Sequence, residues 1–199
     1  MQKQLLLLLI SISVTLTVSA QSKSPKTTDP KAAVGAALIK FPGFDTSQMQ
    51  QLLRAKRKYC VPLPTWIPAG FKVEKVITKI GAKVKPDDHE VYVVYARKTD
   101  KGKKQSFTIE AGLGGIGDLP YTPTHTIKSA MGEIELCYEP KDEDDNNKPI
   151  KRYVRSHWFD CNNTAWAYGS VRGASYEDNK TEMISVEDTK KILASMKRL

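Results

Sequence analysis

Three polar side chains late in the chain have the types and spacing of a nucleophilic site. Arg155, His157 and Cys161 fall within seven residues, and in an extended strand such spacing places them roughly on one side. A thiol beside an imidazole can be activated as a nucleophile. The competing interpretation is a sheet-surface histidine next to a disulfide cysteine. That interpretation is favoured, because the sequence shows no orienting group and no oxyanion feature, so we predict no catalytic residue.

A glycine-rich segment follows a predicted strand, as a phosphate-binding loop would. Residues 112–118 read Gly-Leu-Gly-Gly-Ile-Gly-Asp, without the Lys-Ser/Thr pair of a P-loop or the glycine spacing of a dinucleotide fold. Pro120 and Pro123 prevent a helix whose N-terminus would face the phosphate. We therefore predict a flexible loop. The alternative is a mobile loop that covers the edge of a groove.

The acidic residues and the histidines do not form a consistent metal site. Asp142, Asp144 and Asn146 match the first half of a calcium-binding EF-hand loop. Asn147 and Tyr153 occupy the positions where the loop needs glycine and glutamate, so a solvated hairpin tip is favoured. The three histidines lie in separate segments without zinc-site spacing. We predict no metal and no cofactor.

Aromatic side chains are concentrated in the predicted strands. Trp166 and Tyr168 share one strand face, and together with Trp158 and Arg155 they form our candidate ligand-binding set, an apolar groove for a lipid or peptide. Core packing is the favoured alternative, because aromatic residues in strands are usually core residues.

Three cysteines, Cys60, Cys137 and Cys161, allow one disulfide with one cysteine left over. All three pairings are open from the sequence. We prefer Cys137 with Cys161, because both lie in neighbouring strand-like segments. Closing that short loop would stabilise the fold by about 3 kcal/mol on the chain-entropy model.

The elements that must position these residues follow the order helix, meander, helix. Asp45 is a helix start signal before the basic run at residues 54–58, and Ser185 starts a terminal helix that continues through Met196. The alternating segments between them predict strands at 71–80, 90–98, 105–111, 124–129, 132–139, 150–159 and 164–171. The predicted fold class is α+β: an antiparallel, curved β-sheet of about six to seven strands with N-terminal and C-terminal helices packed on it.

The first twenty residues have the features of a secretory signal peptide. Lys3 precedes an apolar run over residues 5–18, which is too short to span a bilayer, and the stretch ends in the small residues Ser19 and Ala20. We therefore expect a periplasmic or extracellular protein without a transmembrane segment. The predicted organisation is a signal peptide (1–20), a disordered spacer (21–28), a helical N-terminal segment (29–60) and an α+β envelope domain (61–199).

The chain is strongly basic, with a formal net charge of +9. Such a charge favours anionic partners. For an exported protein these are an anionic lipid, a cell-wall polymer or an acidic envelope protein, and nucleic acid is not expected. The alternative is a solvated surface that serves solubility.

Two passages carry a family resemblance. Residues 64–73, Pro-Thr-Trp-Ile-Pro-Ala-Gly-Phe-Lys-Val, resemble the Leu-Pro-x-Gly-Phe/Tyr entry into the first strand of small bacterial envelope domains. These are the uncharacterised C-terminal domains of anti-sigma factors, related to sigma-E regulatory and lipoprotein-carrier proteins. The passage from Gly132 through Trp166 and Tyr168 to the helix at 185–196 is similar to that family's ending. The resemblance spans about residues 64–197 and implies a non-enzymatic domain for envelope sensing or apolar-ligand handling.

The chain departs from that family in lacking a zinc-binding anti-sigma segment and a membrane helix, so the resemblance transfers no catalytic residue. Our leading hypothesis is an exported, non-catalytic binding or accessory protein of the cell envelope that handles an amphipathic or anionic ligand. The alternative is a small secreted hydrolase or enzyme inhibitor that uses His157 and its neighbours.

Overall fold

The computed structural model describes residues 34–36, 38, 40–113, 122–138, 142–143, 149–150, 154–170 and 182–199. Within these ranges the chain is an α+β fold built on an open antiparallel sheet of eight strands. The fold class was predicted correctly, and the sheet has more strands than the predicted six to seven. The predicted signal peptide, the spacer and most of the glycine-rich segment lie outside the described residues.

A capped helix, α1 (Thr46–Ala55), packs onto one edge of the sheet. The Asp45 carboxylate accepts a hydrogen bond from the Gln48 backbone N–H at 2.8 Å, and Gln48 Oε1 accepts one from the Asp45 backbone N–H at 3.0 Å. This reciprocal pair satisfies two donors at the helix start, as Asp45 predicted. The buried residues of α1 are Met49, Leu52 and Ala55. Residues 34–36, 38 and 40 are also helical.

The described residues form twelve strands, several of them short. In chain order they are β1 (Pro62–Pro64), β2 (Lys72–Lys79), β3 (Glu90–Lys98), β4 (Lys104–Ala111), β5 (His125–Ser129), β6 (Gly132–Tyr138), β7 (Asp142–Glu143), β8 (Pro149–Ile150), β9 (Val154–Ser156), β10 (Phe159–Asp160), β11 (Ala165–Gly169) and β12 (Met196–Arg198). The main sheet has the order β2-β3-β4-β11-β9-β6-β5, with β10 beside β11. Two separate ribbons pair β1 with β12 and β7 with β8.

A second helix, α2 (Val186–Ala194), covers the same face of the sheet. The Ser185 hydroxyl accepts a hydrogen bond from the Asp188 backbone N–H, which confirms the predicted N-cap. Thr189 lies within hydrogen-bonding distance of Tyr168 in β11, with the two hydroxyl oxygens 3.1 Å apart. The buried apolar residues of both helices and most of those of the main-sheet strands belong to one apolar cluster.

The core is organised around stacked aromatic rings. Tyr95 in β3 lies directly opposite Phe107 in β4, with ring centroids 4.5 Å apart and ring planes 6° from parallel. Phe107 also stacks on Tyr168 of β11 at 5.5 Å. These rings tie three adjacent strands together on the helix-covered face.

The structure differs from the predicted strands in two places. The segment predicted as one strand over 150–159 is interrupted at His157 and Trp158. Arg155 pairs with Gly169 and Phe159 pairs with Trp166, so four residue steps on one side face three on the other, and the register shifts between β9 and β10. Met196, predicted to end the terminal helix, instead begins β12 opposite Pro64. The register shift determines the structure at residues 157–158. The pairing with the distant strand β1 determines it at Met196.

Candidate functional site

A basic cleft with a volume of about 440 Å³ lies where α1 ends. Its lining residues are Lys56, Arg57, Lys58, Tyr59, Cys60, Val61, Asn162, Arg198 and Leu199. Four of these carry a cationic side chain. Among the described residues, no aspartate or glutamate lines this cleft. The cleft is therefore a local concentration of positive charge that suits an anionic group.

The cations of the basic cleft come from two parts of the fold. Lys56 is the C-cap of α1, and a backbone hydrogen bond from Tyr59 N–H to Ala55 oxygen (2.9 Å) closes the following turn. Cations are favourable at a helix C-terminus, so this position accommodates three in a row. Arg198 comes from β12, whose neighbouring Leu199 N–H donates to Val61 oxygen at 2.9 Å.

A disulfide between Cys60 and Cys161 joins the two walls of the basic cleft, with Cα atoms 5.5 Å apart. Cys60 belongs to the wall that follows α1, and Cys161 directly precedes Asn162 of the opposite wall. The predicted pairing of Cys137 with Cys161 is therefore wrong. The β10–β11 hairpin brings Cys161 to the segment after α1, whereas Cys137 is buried within β6 opposite Arg155.

The opposite wall depends on a tight turn. Asn162 and Asn163 have backbone φ angles of 49° and 61°, and Cys161 N–H donates to Thr164 oxygen at 2.9 Å. A type I′ hairpin turn requires two consecutive residues with positive φ. Asparagine tolerates this conformation better than most residues. The turn fixes Asn162 at the edge of the cleft.

An acidic cleft of about 360 Å³ lies at the end of β2 and the beginning of β3. Its lining residues are Lys79, Asp87, Asp88, His89, Glu90, Ala111, Gly112, Leu113 and Trp158. Three carboxylates thus face one ammonium group. The cleft also brings together two sequence features that were predicted separately: Trp158 and the first residues of the glycine-rich segment.

Tyr59 and His89 connect the two clefts, because Tyr59 lines the basic cleft and His89 lines the acidic one. The Tyr59 hydroxyl is hydrogen-bonded to His89 Nδ1, and Lys58 Nζ lies 3.5 Å from the same nitrogen. Both contacts converge on Nδ1, whose role as donor or acceptor depends on the tautomer of the ring. His89 is 4% exposed, and its Nε2 has no hydrogen-bond partner in the structure.

The residues predicted to bind a ligand separate into different environments. Trp166 and Tyr168 are completely buried in the core. The favoured interpretation, core packing, is therefore confirmed for both, and their assignment to a ligand-binding groove is wrong. Both side chains point toward the helix-covered face of the sheet. Arg155 forms an ion pair with Glu110, with Nη2 and Oε1 3.6 Å apart. Only Trp158 of the four lines one of the two clefts.

The sequence prediction missed Tyr59, His89 and Arg198. The basic run before Tyr59 was interpreted as a helix end and as part of the positive charge that favours anionic partners, but not as one wall of a cleft. His89 and Arg198 join it through contacts between distant parts of the chain, for which the sequence carries no local signal. The described residues contain no group of three or more potential metal ligands and no helix of the length and apolarity needed to cross a membrane.

Comparison with known proteins gives no relative for this chain. No family model, no curated protein and no solved structure matches it. The resemblance to bacterial envelope domains therefore stays a prediction from the sequence.

Proposed function

We propose that this chain is an exported, non-catalytic binding or accessory protein of the cell envelope, and that its basic cleft holds an anionic group of an envelope component. The observation that carries the proposal is the convergence of Lys56, Arg57, Lys58 and Arg198 on one cleft. Lysine and arginine at the surface of a cleft attract anions and, in the case of arginine, bind phosphate or carboxylate through paired N–H groups.

The disulfide supports both the export and the cleft. Disulfides persist in oxidising compartments and are rare in the cytosol. Here the bond also links the two cleft walls, so the compartment that forms the disulfide would complete the binding site. The net charge of +9 adds a long-range attraction for anionic surfaces.

The same bond bears on the alternative of a secreted hydrolase. A Cys–His nucleophilic pair at Cys161 and His157 needs a thiolate on Cys161. The sulfur of Cys161 is instead bonded to that of Cys60. This favours the binding hypothesis over a thiol hydrolase.

The test is a calorimetric titration of the protein with inorganic pyrophosphate at low ionic strength. Replacing Lys56, Arg57 and Arg198 with glutamine should weaken binding by about tenfold or more, since each lost cation removes part of the attraction. A matched variant with glutamine at Lys98, Lys101 and Lys103 removes the same charge from exposed positions around the β3–β4 turn. Equal loss in both variants would show nonspecific charge attraction and contradict the proposed site.

A further inference from the structure

The two cysteines of the disulfide lie in unequal environments. Cys60 is half-buried and lines the basic cleft, whereas Cys161 is completely buried. Thiol–disulfide exchange begins when a thiolate attacks one of the two sulfurs, and its rate depends on which sulfur the thiolate can reach. Cys60 is therefore the cysteine that an incoming thiolate meets first, and Cys161 is the leaving group.

The basic cleft surrounds Cys60 with positive charge. Four exposed cationic side chains line the cleft together with this cysteine: Lys56, Arg57, Lys58 and Arg198. Cations beside a sulfur stabilise its thiolate form, and a cationic cleft raises the local concentration of anionic molecules. The volume of about 440 Å³ is in the range of small-molecule sites. The cleft thus suits a small molecule that carries both a thiol and an anionic group.

We propose that Cys60 is a thiol-exchange site, which takes a small thiol bearing a carboxylate, sulfonate or phosphate group. The thiolate sulfur bonds to Cys60 Sγ, and the bond between Cys60 Sγ and Cys161 Sγ breaks. The electron pair of the broken bond stays on Cys161 Sγ, which takes up a proton from water. One S–S bond replaces another, so the step needs no further oxidant or reductant. The product is a mixed disulfide on Cys60, and the two cleft walls are no longer linked.

This inference rests on the cations of the proposed anion site and adds a covalent step at one sulfur. The first test locates the adduct. The folded protein is incubated with mercaptoethanesulfonate, trapped with N-ethylmaleimide in acidic urea and mapped by mass spectrometry. We expect the sulfonate adduct on Cys60 and the maleimide on Cys161. An adduct on Cys161, or a disulfide that does not exchange in the folded protein, would overturn the proposal.

The second test asks whether charge selects the thiol. The exchange rates of anionic mercaptoethanesulfonate and cationic cysteamine are each divided by the rate of the same thiol with the neutral disulfide of mercaptoethanol. This division removes differences in intrinsic reactivity between the thiols. At low ionic strength we expect the normalised rate to be about tenfold higher for the anionic thiol, and the preference to shrink in high salt. Equal normalised rates would overturn the proposal.

A charge variant links this preference to the basic cleft. Replacing Lys56, Arg57 and Arg198 with glutamine should reduce the preference for the anionic thiol at least about threefold. The matched variant with three glutamines around the β3–β4 turn should keep it, and equal loss in both variants would contradict the site. The two proposals can fail separately. Pyrophosphate binding without a Cys60 adduct contradicts only the exchange site, and a charge-selective Cys60 adduct without pyrophosphate binding contradicts only the reversible anion site.

Discussion

The Tyr59 hydroxyl hydrogen-bonds His89 Nδ1 across a sequence separation of 30 residues, and this contact forms the wall between the basic and the acidic cleft. The rings meet edge to face, with centroids 5.9 Å apart. The contact fixes the segment that follows α1 against the beginning of β3. It is therefore expected to stabilise the fold as well as the shape of both clefts.

Replacing Tyr59 with phenylalanine removes this hydrogen bond and keeps the ring contact. We expect the free energy of unfolding to fall by about 1 kcal/mol, because the part-buried hydrogen bond between the Tyr59 hydroxyl and the His89 imidazole is lost. Urea unfolding measures the change. In a His89→Phe background the same substitution should cost almost nothing, since the imidazole partner of the hydroxyl is already absent. An equal cost in both backgrounds would contradict the assigned bond.

Two buried tyrosines should respond in opposite ways to loss of the hydroxyl. The Tyr95 hydroxyl is buried without a hydrogen-bond partner, whereas the Tyr168 hydroxyl pairs with Thr189 at 3.1 Å. Tyr95→Phe should leave stability unchanged or raise it by about 1 kcal/mol, and Tyr168→Phe should lower it by about 1 kcal/mol. Thermal and urea unfolding of the two variants provide matched measurements. The same sign of effect in both would refute this difference in pairing.

Stability should fall at alkaline pH because of these same tyrosines. Burial raises the pKa of Tyr95, and it is the main cause that raises the pKa of Tyr168, where the Thr189 hydrogen bond acts in the opposite direction. The unfolded chain releases these protons near pH 10, while the folded chain keeps them. Their contribution is therefore complete below about pH 10, and above it each tyrosine lowers the free energy of unfolding by about 1.4 kcal/mol per pH unit.

Urea unfolding at several pH values above 10 measures this slope. A variant with phenylalanine at both Tyr95 and Tyr168 should show a shallower slope than the unmodified chain, because the two groups no longer titrate. Identical slopes would mean that these hydroxyls ionise equally easily in both states.

The disulfide should make a large contribution to stability, because it closes a loop between residues 101 positions apart. Replacing Cys60 and Cys161 with serine should lower the free energy of unfolding by about 2–5 kcal/mol. A non-reducing peptide map should recover the Cys60 and Cys161 peptides linked. Cys137→Ser serves as the control and should keep that link, whereas a Cys137–Cys161 peptide would contradict the structure.

Local sequence signals predicted the parts of the fold that depend on neighbouring residues. Asp45 and Ser185 marked their helix starts because capping involves residues three positions apart. The alternation in β3 was equally local, with Val91, Val93 and Tyr95 buried. Core packing was also the favoured interpretation of Trp166 and Tyr168, and their complete burial confirms it.

Contacts between distant segments could not be predicted in this way. The disulfide partner of Cys161 is determined by the β10–β11 hairpin, whose turn contains Asn162, and by the path of the chain after α1. The interruption at His157 and Trp158 coincides with a one-residue shift in the register of β9 and β10 against β11, and sequence periodicity does not show it. Both clefts are made by such contacts, which is why only Trp158 among their lining residues was chosen from the sequence.

The pairing of β1 with β12 also has a consequence for how the chain is made. The Thr65 hydroxyl donates to the Ser195 carbonyl oxygen across 130 residues, so this ribbon forms only after the ribosome has synthesised β12. Contacts of such sequence separation slow folding. Val61, Leu63 and the basic run before them thus lack their final neighbours until β12 has been made, and the basic cleft cannot be complete before Arg198 and Leu199 have been synthesised.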